Sequence, residues 1–356
     1  MRNDEKELTA LRDTFGCNRQ FFTLLARYLN DFPRLVTGEM IASLTEECGV
    51  SEDEAFCAVL CAALDVDEER SEEERRLARE YFTTAVKKQD PAIYQNDPYY
   101  RHIHVPQKTV GEWRLCRETY APYEGFICGN LAAGKQPYAA IPPIGYFDRE
   151  FSFPAVMQNG VEWMAIKPNE IETMRPHLSR ARGRVLCMGL GLGYYAYMAA
   201  EKPSVASVTV IERDPAVIRL FREELLPQFA NKQKITVICE DAFSYAECAL
   251  PKGGFDTVFA DLWHDASDGL PLYARLRGIE RRVAAVPFDY WIEDMLLCHL
   301  RSLLFSVVWE AKEKGQAPFG RLNAQEIVRM LSDDALRALT ADGGIVEEIT
   351  KNHPFV

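Results

Sequence analysis

The sequence predicts an α/β protein built on a doubly wound, mostly parallel sheet. Two observations carry that expectation. From Arg184 onward, four short apolar runs alternate with helix-like segments, and the first run ends in three glycines spaced two apart. Strand–helix alternation with near-continuously apolar strands marks a parallel sheet covered on both faces. Around this core the chain divides into a helical N-terminal domain (1–105), a small antiparallel β layer (106–165), the α/β core (166–280) and a helical C-terminal extension (281–356).

The N-terminal region reads as helical. Ser51 followed by Glu54 makes a capping box ahead of the apolar run Ala55 to Leu64. Cys57 and Cys61, four apart in that run, fall on one helical face and read as small core hydrophobes. The acidic run from Asp65 to Glu74 lacks the glycine and ligand spacing of a calcium loop, so it reads as a solvated helix start. Residues 91–165 change character, with β-prone runs such as GEWRLCRETY and REFSFPAVMQNGVEWMAI. The Asn159-Gly160 pair is a hairpin signal. A helix capped by Asn169 is expected to follow.

In the core, RVLCMGL, SVTVIER, KITVICED and FDTVFADLW are the four strands, with YYAYMAAEK and PAVIRLFREELL as helices between them. RRVAAVPF, residues 281–288, is a candidate short fifth strand. An amphipathic helix is expected from about Tyr290 to Lys312, then two short helices capped near Asn323 and Ser332. No β-hairpin pattern follows the fifth strand.

Composition bounds the function. The formal net charge of −12, with 12 Lys and Arg against 21 Asp and Glu in residues 1–100, disfavours nucleic-acid binding. Ten scattered cysteines without CxxC pairs suit a reducing cytoplasm. The opening MRNDEKELTA lacks the apolar run of a signal peptide, and MLLCHLRSLLFSVVW is broken by His299 and Arg301 and too short to span a bilayer. A cytoplasmic protein with a small-molecule acceptor substrate and no membrane or nucleic-acid partner is the expectation. The helical ends are candidates for homo-oligomer contacts.

The chemistry gathers at the strand ends. Gly189, Gly191 and Gly193 permit a tight strand-to-helix turn that a ligand can approach closely. A dinucleotide fingerprint wants Gly or Ala where Tyr194 stands, which argues against a nicotinamide cofactor. Glu212, at the end of the second strand and about 20 residues downstream, fits a carboxylate that accepts both ribose hydroxyls. Asp214-Pro215 reads as an N-cap and first helical residue. Asp241 ends the third strand and Asp261 the fourth.

The glycine turn, Glu212, Asp241 and Asp261 together resemble the class I, Rossmann-like S-adenosylmethionine-dependent methyltransferases over residues 165–265. The resemblance implies S-adenosyl-L-methionine as cofactor, with Asp241 and Ala242 at the adenine and a small-molecule methyl acceptor. The segment is also similar to the spermidine synthase-like branch, which implies aminopropyl transfer as the alternative reaction, although only the leading aspartate of that branch's DSTDP-like loop is kept here. The loop Asp261-Leu262-Trp263-His264-Asp265 further resembles the strand-four loop of catechol O-methyltransferases, which implies His264 as base and Asp261 as positioning group. That family's second metal pair is met here only by Asp289-Tyr290, so no metal is expected. His102 and His104, read as alternate strand positions, lack a third ligand. Tyr94, Tyr99, Tyr100, Trp113, Tyr120 and Tyr123 are either pocket-lining or packing aromatics. A non-catalytic S-adenosyl-binding module is the contrasting expectation.

Overall fold

The structure is a computed structural model that describes residues 2–283, 286–317 and 319–341. It divides into two compact units: one of residues 1–92, 119–152 and 321–328, the other of 93–118, 153–320 and 329–356.

The smaller unit is mainly helical. Its first helix, Arg2–Asp31, carries Leu8, Leu11, Phe15, Phe21, Leu25 and Tyr28 as one buried stripe at helical spacing. Asn18 falls in that stripe, and its buried amide is paired: it accepts from the Tyr81 hydroxyl (2.8 Å) and Ala140 N–H (3.0 Å) and donates to the Tyr138 carbonyl (2.8 Å). Helix Glu52–Ala63 begins with the Ser51/Glu54 capping box, and Cys57 and Cys61 are buried on it. The acidic run is a loop up to Ser71, which caps helix Glu72–Arg76. Strands Val86–Lys88, Ile144–Tyr146 and Phe126–Ile127 form a small sheet beside these helices.

The larger unit holds a five-stranded parallel sheet. In chain order its strands are β1 (Gly183–Met188), β2 (Val205–Glu212), β3 (Ile235–Cys239), β4 (Thr257–Ala260) and β5 (Phe288–Tyr290). Their spatial order is β3-β2-β1-β4-β5, a Rossmann-like arrangement. Val185, Leu186, Cys187 and Met188 are all buried because helices cover both faces, which is why β1 reads as an unbroken apolar run. The order reverses between β1 and β4, so the C-terminal ends of those strands open the crevice where such sheets take ligands.

Two hairpins complete a separate four-stranded sheet: Lys108–Val110 with Trp113–Tyr120, and Phe151–Gln158 with Val161–Ala165. The second turns at Asn159 (φ 51°) and Gly160 (φ 84°), the two left-handed residues that a type I′ turn requires.

Several expectations shift. The helix after this hairpin, Pro168–Arg180, starts at Lys167 without a side-chain cap; Asn169 lies inside it, because Pro168 at the first helical position sets the start. The fifth strand is Phe288–Tyr290 rather than 281–288. Helix Ala266–Val283 runs on through its first residues, while residues 284 and 285 lie outside the described residues. The long helix is Glu293–Glu313. The two short ones, Ala324–Met330 and Asp333–Thr340, follow Asn323 and Ser332 as expected, and both side chains cap. Among the described residues no strand follows β5, and the end of the helical extension, 342–356, lies outside them. No helix among the described residues is long and apolar enough to cross a membrane.

Candidate active site

The glycine turn follows β1 at the switch point. Gly189 has φ 97°, and a Cβ there would sit 2.0 Å from the Asp261 carbonyl oxygen. The close approach exists because the Asp261 N–H donates to the Met188 carbonyl (2.9 Å), which draws the end of β4 against the turn. Only glycine satisfies both conditions. Gly191 (φ 50°) is covered differently: its Cβ would meet Met164 Sδ at 2.3 Å, and the Leu192 N–H donates to the same sulfur (3.3 Å). Gly193, in the left-handed conformation, begins helix Tyr194–Glu201 without a side-chain cap. The first N–H groups of that helix are therefore left to other acceptors.

Tyr194, the residue that departs from the dinucleotide pattern, is buried and donates its hydroxyl to Asp97 (2.9 Å). It belongs to the packing under the turn.

Glu212 reaches back to the turn. Its carboxylate accepts the Leu190 N–H (3.3 Å) and the Asp214 N–H (2.8 Å). Burial pushes this carboxyl up from its ordinary value, against backbone N–H groups that favour the charged form. Asp214 caps its helix through Ala216 (2.7 Å) and accepts the Trp113 indole N–H (2.9 Å). A cleft of about 110 Å³ lies here, lined among others by Trp113, Trp163, Gly191, Glu212, Asp214 and Val217. That is below the roughly 300–1,000 Å³ usual for small-molecule sites. Trp163 of strand Val161–Ala165 lines this cleft, and Met164 of the same strand covers Gly191.

Asp241 lies just past β3, is exposed, and caps helix Ala242–Ala249 by accepting the Ser244 N–H (2.9 Å); Ala242 beside it is buried. The structure thus brings Gly191 and Glu212 together in the cleft and sets Asp261 against Gly189. Asp241 and Ala242 stand at the neighbouring strand end, since the Glu240 N–H donates to the Glu212 carbonyl (3.0 Å).

Asp261 is strongly perturbed by its surroundings. It is partly exposed as a residue, yet burial pushes its carboxyl up to about 7. His264 follows in the loop. Its Nδ1 lies 3.0 Å from an Asp268 oxygen, and Asp268 also accepts the backbone N–H groups of His264 and Asp265. Burial works to raise Asp268, but those donors hold it below its ordinary value. The His264 ring meets Trp163 edge to face with centroids 4.0 Å apart, and Trp163 in turn meets Trp113 at 5.5 Å. An acid-oriented imidazole on an aromatic wall is a workable general base.

Three contributors escaped the sequence reading: Trp163, Met164 and Asp268. Only Asp268 had a signal, its i,i+4 spacing from His264. The other candidates fall elsewhere. Asp289 is committed to Arg180 (2.8 Å) and lies 3.5 Å from His177 Nδ1. His102 ends a short helix, not a strand, and pairs with the Tyr197 hydroxyl (3.0 Å). His104 only offers its backbone to Gln228. Tyr94 and Tyr99 are core residues.

No family model matches the chain. A stretch of 91 residues is 34% identical to the polyamine aminopropyltransferases of Mycobacterium tuberculosis and Mycobacterium bovis. It covers 24% of this chain and 17% of those proteins. Among solved structures, the spermidine synthase from Thermotoga maritima aligns at TM-score 0.32 and 13% identity, over 48% of this chain and 58% of that one. A PRMT6–SAH structure aligns at TM-score 0.25 and 18% identity, over 33% and 40%. The larger unit has a Rossmann-like α/β fold, and the 91-residue stretch makes the chain distantly similar to polyamine aminopropyltransferases.

Proposed function

We propose that this chain is a transferase that uses an S-adenosyl ligand to alkylate a small-molecule acceptor, with aminopropyl transfer ranking ahead of methyl transfer. The observation that carries the proposal is the convergence of the glycine turn, Glu212 and Asp261 at the β1/β4 switch point. Glu212 accepts only backbone N–H groups and keeps lone pairs for ribose hydroxyls. The uncapped helix start at Gly193 suits an anionic or polar tail. Asp241 and Ala242 stand where an adenine edge would be read.

A bound sulfonium supplies the electrophilic carbon. The chain's own task is to align an acceptor and remove its proton. Asp261 and the His264–Asp268 pair are the residues for that task. Aminopropyl transfer goes first because the similar proteins named above are aminopropyltransferases and because the acidic site suits an amine. The Asp261 loop keeps only one aspartate of the family's pattern, which leaves S-adenosyl-L-methionine and methyl transfer as the second reading.

The test is product identity. Incubation with 1,4-diaminobutane and either decarboxylated S-adenosylmethionine or S-adenosylmethionine, followed by chromatography, is expected to yield methylthioadenosine from the first. S-adenosylhomocysteine from the second alone would instead establish methyl transfer. Neither product, with ligand binding intact across an acceptor panel, would favour a non-catalytic binding module.

A further inference from the structure

Trp163 belongs to both halves of the candidate site. It lines the cleft with Gly191 and Glu212, and its indole meets the His264 ring edge to face at 4.0 Å. A β-bulge puts it there. Along the second hairpin Met157 pairs with Glu162 and Val156 with Met164, which leaves Trp163 as the extra residue of strand Val161–Ala165. A bulge breaks the alternation of faces and re-aims a side chain, a device that recurs beside active sites. Here it brings two consecutive side chains to the glycine turn, Trp163 at the cleft and Met164 over Gly191.

The indole has a fixed neighbour on one side and a movable one on the other. Trp113 meets it at 82° with centroids 5.5 Å apart, across the strand Phe151–Gln158 that separates theirs. Trp113 is buried, and its indole N–H donates to Asp214 (2.9 Å), which caps the helix after β2. That is the Glu212 end of the cleft, since the Asp214 N–H donates to Glu212 (2.8 Å). On the other side stands His264, in a loop anchored away from the cleft. The buried Trp263 packs on Gly269 so closely that a Cβ there would lie 2.8 Å from its Cγ. The His264 Nδ1 is engaged by Asp268 (3.0 Å), and its Nε2 has no hydrogen-bond partner among the described residues. The imidazole side chain is 42% exposed, so it can yield where Trp113 cannot. An edge-to-face contact fixes the tilt of both rings, and the indole therefore sets where Nε2 points.

We infer that Trp163 is a positioning residue that carries occupancy of the cleft to His264. A nucleoside packed beside Glu212 bears on the indole, and the indole sets the imidazole for the acceptor. The inference rests on the proposed transferase reading for the identity of the nucleoside and for what His264 does. A ligand shifts a conformation only through contacts that differ between the two states; the part of the indole that lines the cleft supplies them. An order of events follows. The S-adenosyl ligand enters first, and the acceptor meets an aligned imidazole only afterwards.

The test follows the His264 ring by NMR in the full chain at pH 7, with its signal assigned by His264→Gln. Methylthioadenosine is added to saturation, and its binding is measured separately by calorimetry. In wild type the His264 signal is expected to move as the cleft fills. In Trp163→Leu it is expected to stay still although methylthioadenosine binds, and Trp163→Phe, which keeps a ring, is expected to restore the movement. In turnover Trp163→Leu should lose about 10²-fold in kcat, the cost of a ~1 Å misplacement, with the donor KM changed by less than about threefold. Trp163→Phe should recover most of that rate. A residue that only walls the cleft would raise the donor KM and leave kcat alone, and that result overturns the inference. A His264 signal that ignores bound methylthioadenosine in wild type, or that moves equally in Trp163→Leu, overturns it too and leaves the cofactor claim standing. Absence of methylthioadenosine binding to wild type counts against the cofactor claim and takes the inference with it. If Trp163→Leu does not fold, the wild-type response and its retention in Trp163→Phe decide.

Discussion

Replacing Asp261 with asparagine is expected to make the protein more stable at pH 8 and nearly inactive. The Asp261 carboxyl is raised from 3.8 to about 7, so its folded-state affinity for a proton exceeds its unfolded one. Stability from such a group is complete below pH ~4 and is lost as the pH rises through ~7. Asparagine does not titrate and removes that loss, with an upper bound on the order of 4 kcal/mol. Asp261 in turn helps to raise the buried Glu170 carboxyl and Cys187 thiol, and a neutral asparagine removes that repulsion. Thermal melts of both proteins at pH 4.5 and 8 measure the difference. The variant should gain on wild type only at the higher pH. Turnover should fall by about 10²–10⁴, the usual contribution of a positioned general base. A variant that melts with wild type at both pH values and keeps its rate would remove Asp261 from both roles.

The Gly189→Ala substitution is expected to be strongly disruptive for a single added methyl group. The residue would be held at φ 97° with its Cβ 2.0 Å from a backbone oxygen. Left-handed strain alone costs on the order of 1–3 kcal/mol. The clash cannot be relieved by a rotamer, because the Asp261 carbonyl is part of the strand end. A stability loss above ~3 kcal/mol together with loss of S-adenosyl ligand binding is the expected result by urea unfolding and calorimetry. Gly160→Ala is the control. It also has positive φ, 84°, but nothing lies within 4 Å of the added carbon, so its cost should stay near ~1 kcal/mol. Equal costs at the two positions would contradict the packing of the turn against β4.

The parallel sheet was legible because each of its long strands is a buried run flanked by a cap or a glycine. Gly189, Glu212 and Asp241 could be placed for the same reason: a strand end fixes where the next residues point. The fifth strand was not placed correctly, since three residues at a sheet edge carry little pattern and the preceding helix ran on past the expected boundary. Asn169 was credited with a cap that Pro168 makes unnecessary. Side chains brought to the cleft only by tertiary packing were the hardest to see. Trp163 and Met164 look like any hairpin residues until the hairpin is laid against the glycine turn.

Calorimetric titration of the intact chain with decarboxylated S-adenosylmethionine, S-adenosylmethionine, S-adenosylhomocysteine and NAD tests the central claim most directly. The glycine turn with Glu212 predicts that S-adenosyl ligands bind and NAD does not, and that the decarboxylated form binds at least as tightly as S-adenosylmethionine. Preference for NAD, or no heat with any S-adenosyl ligand, would contradict it.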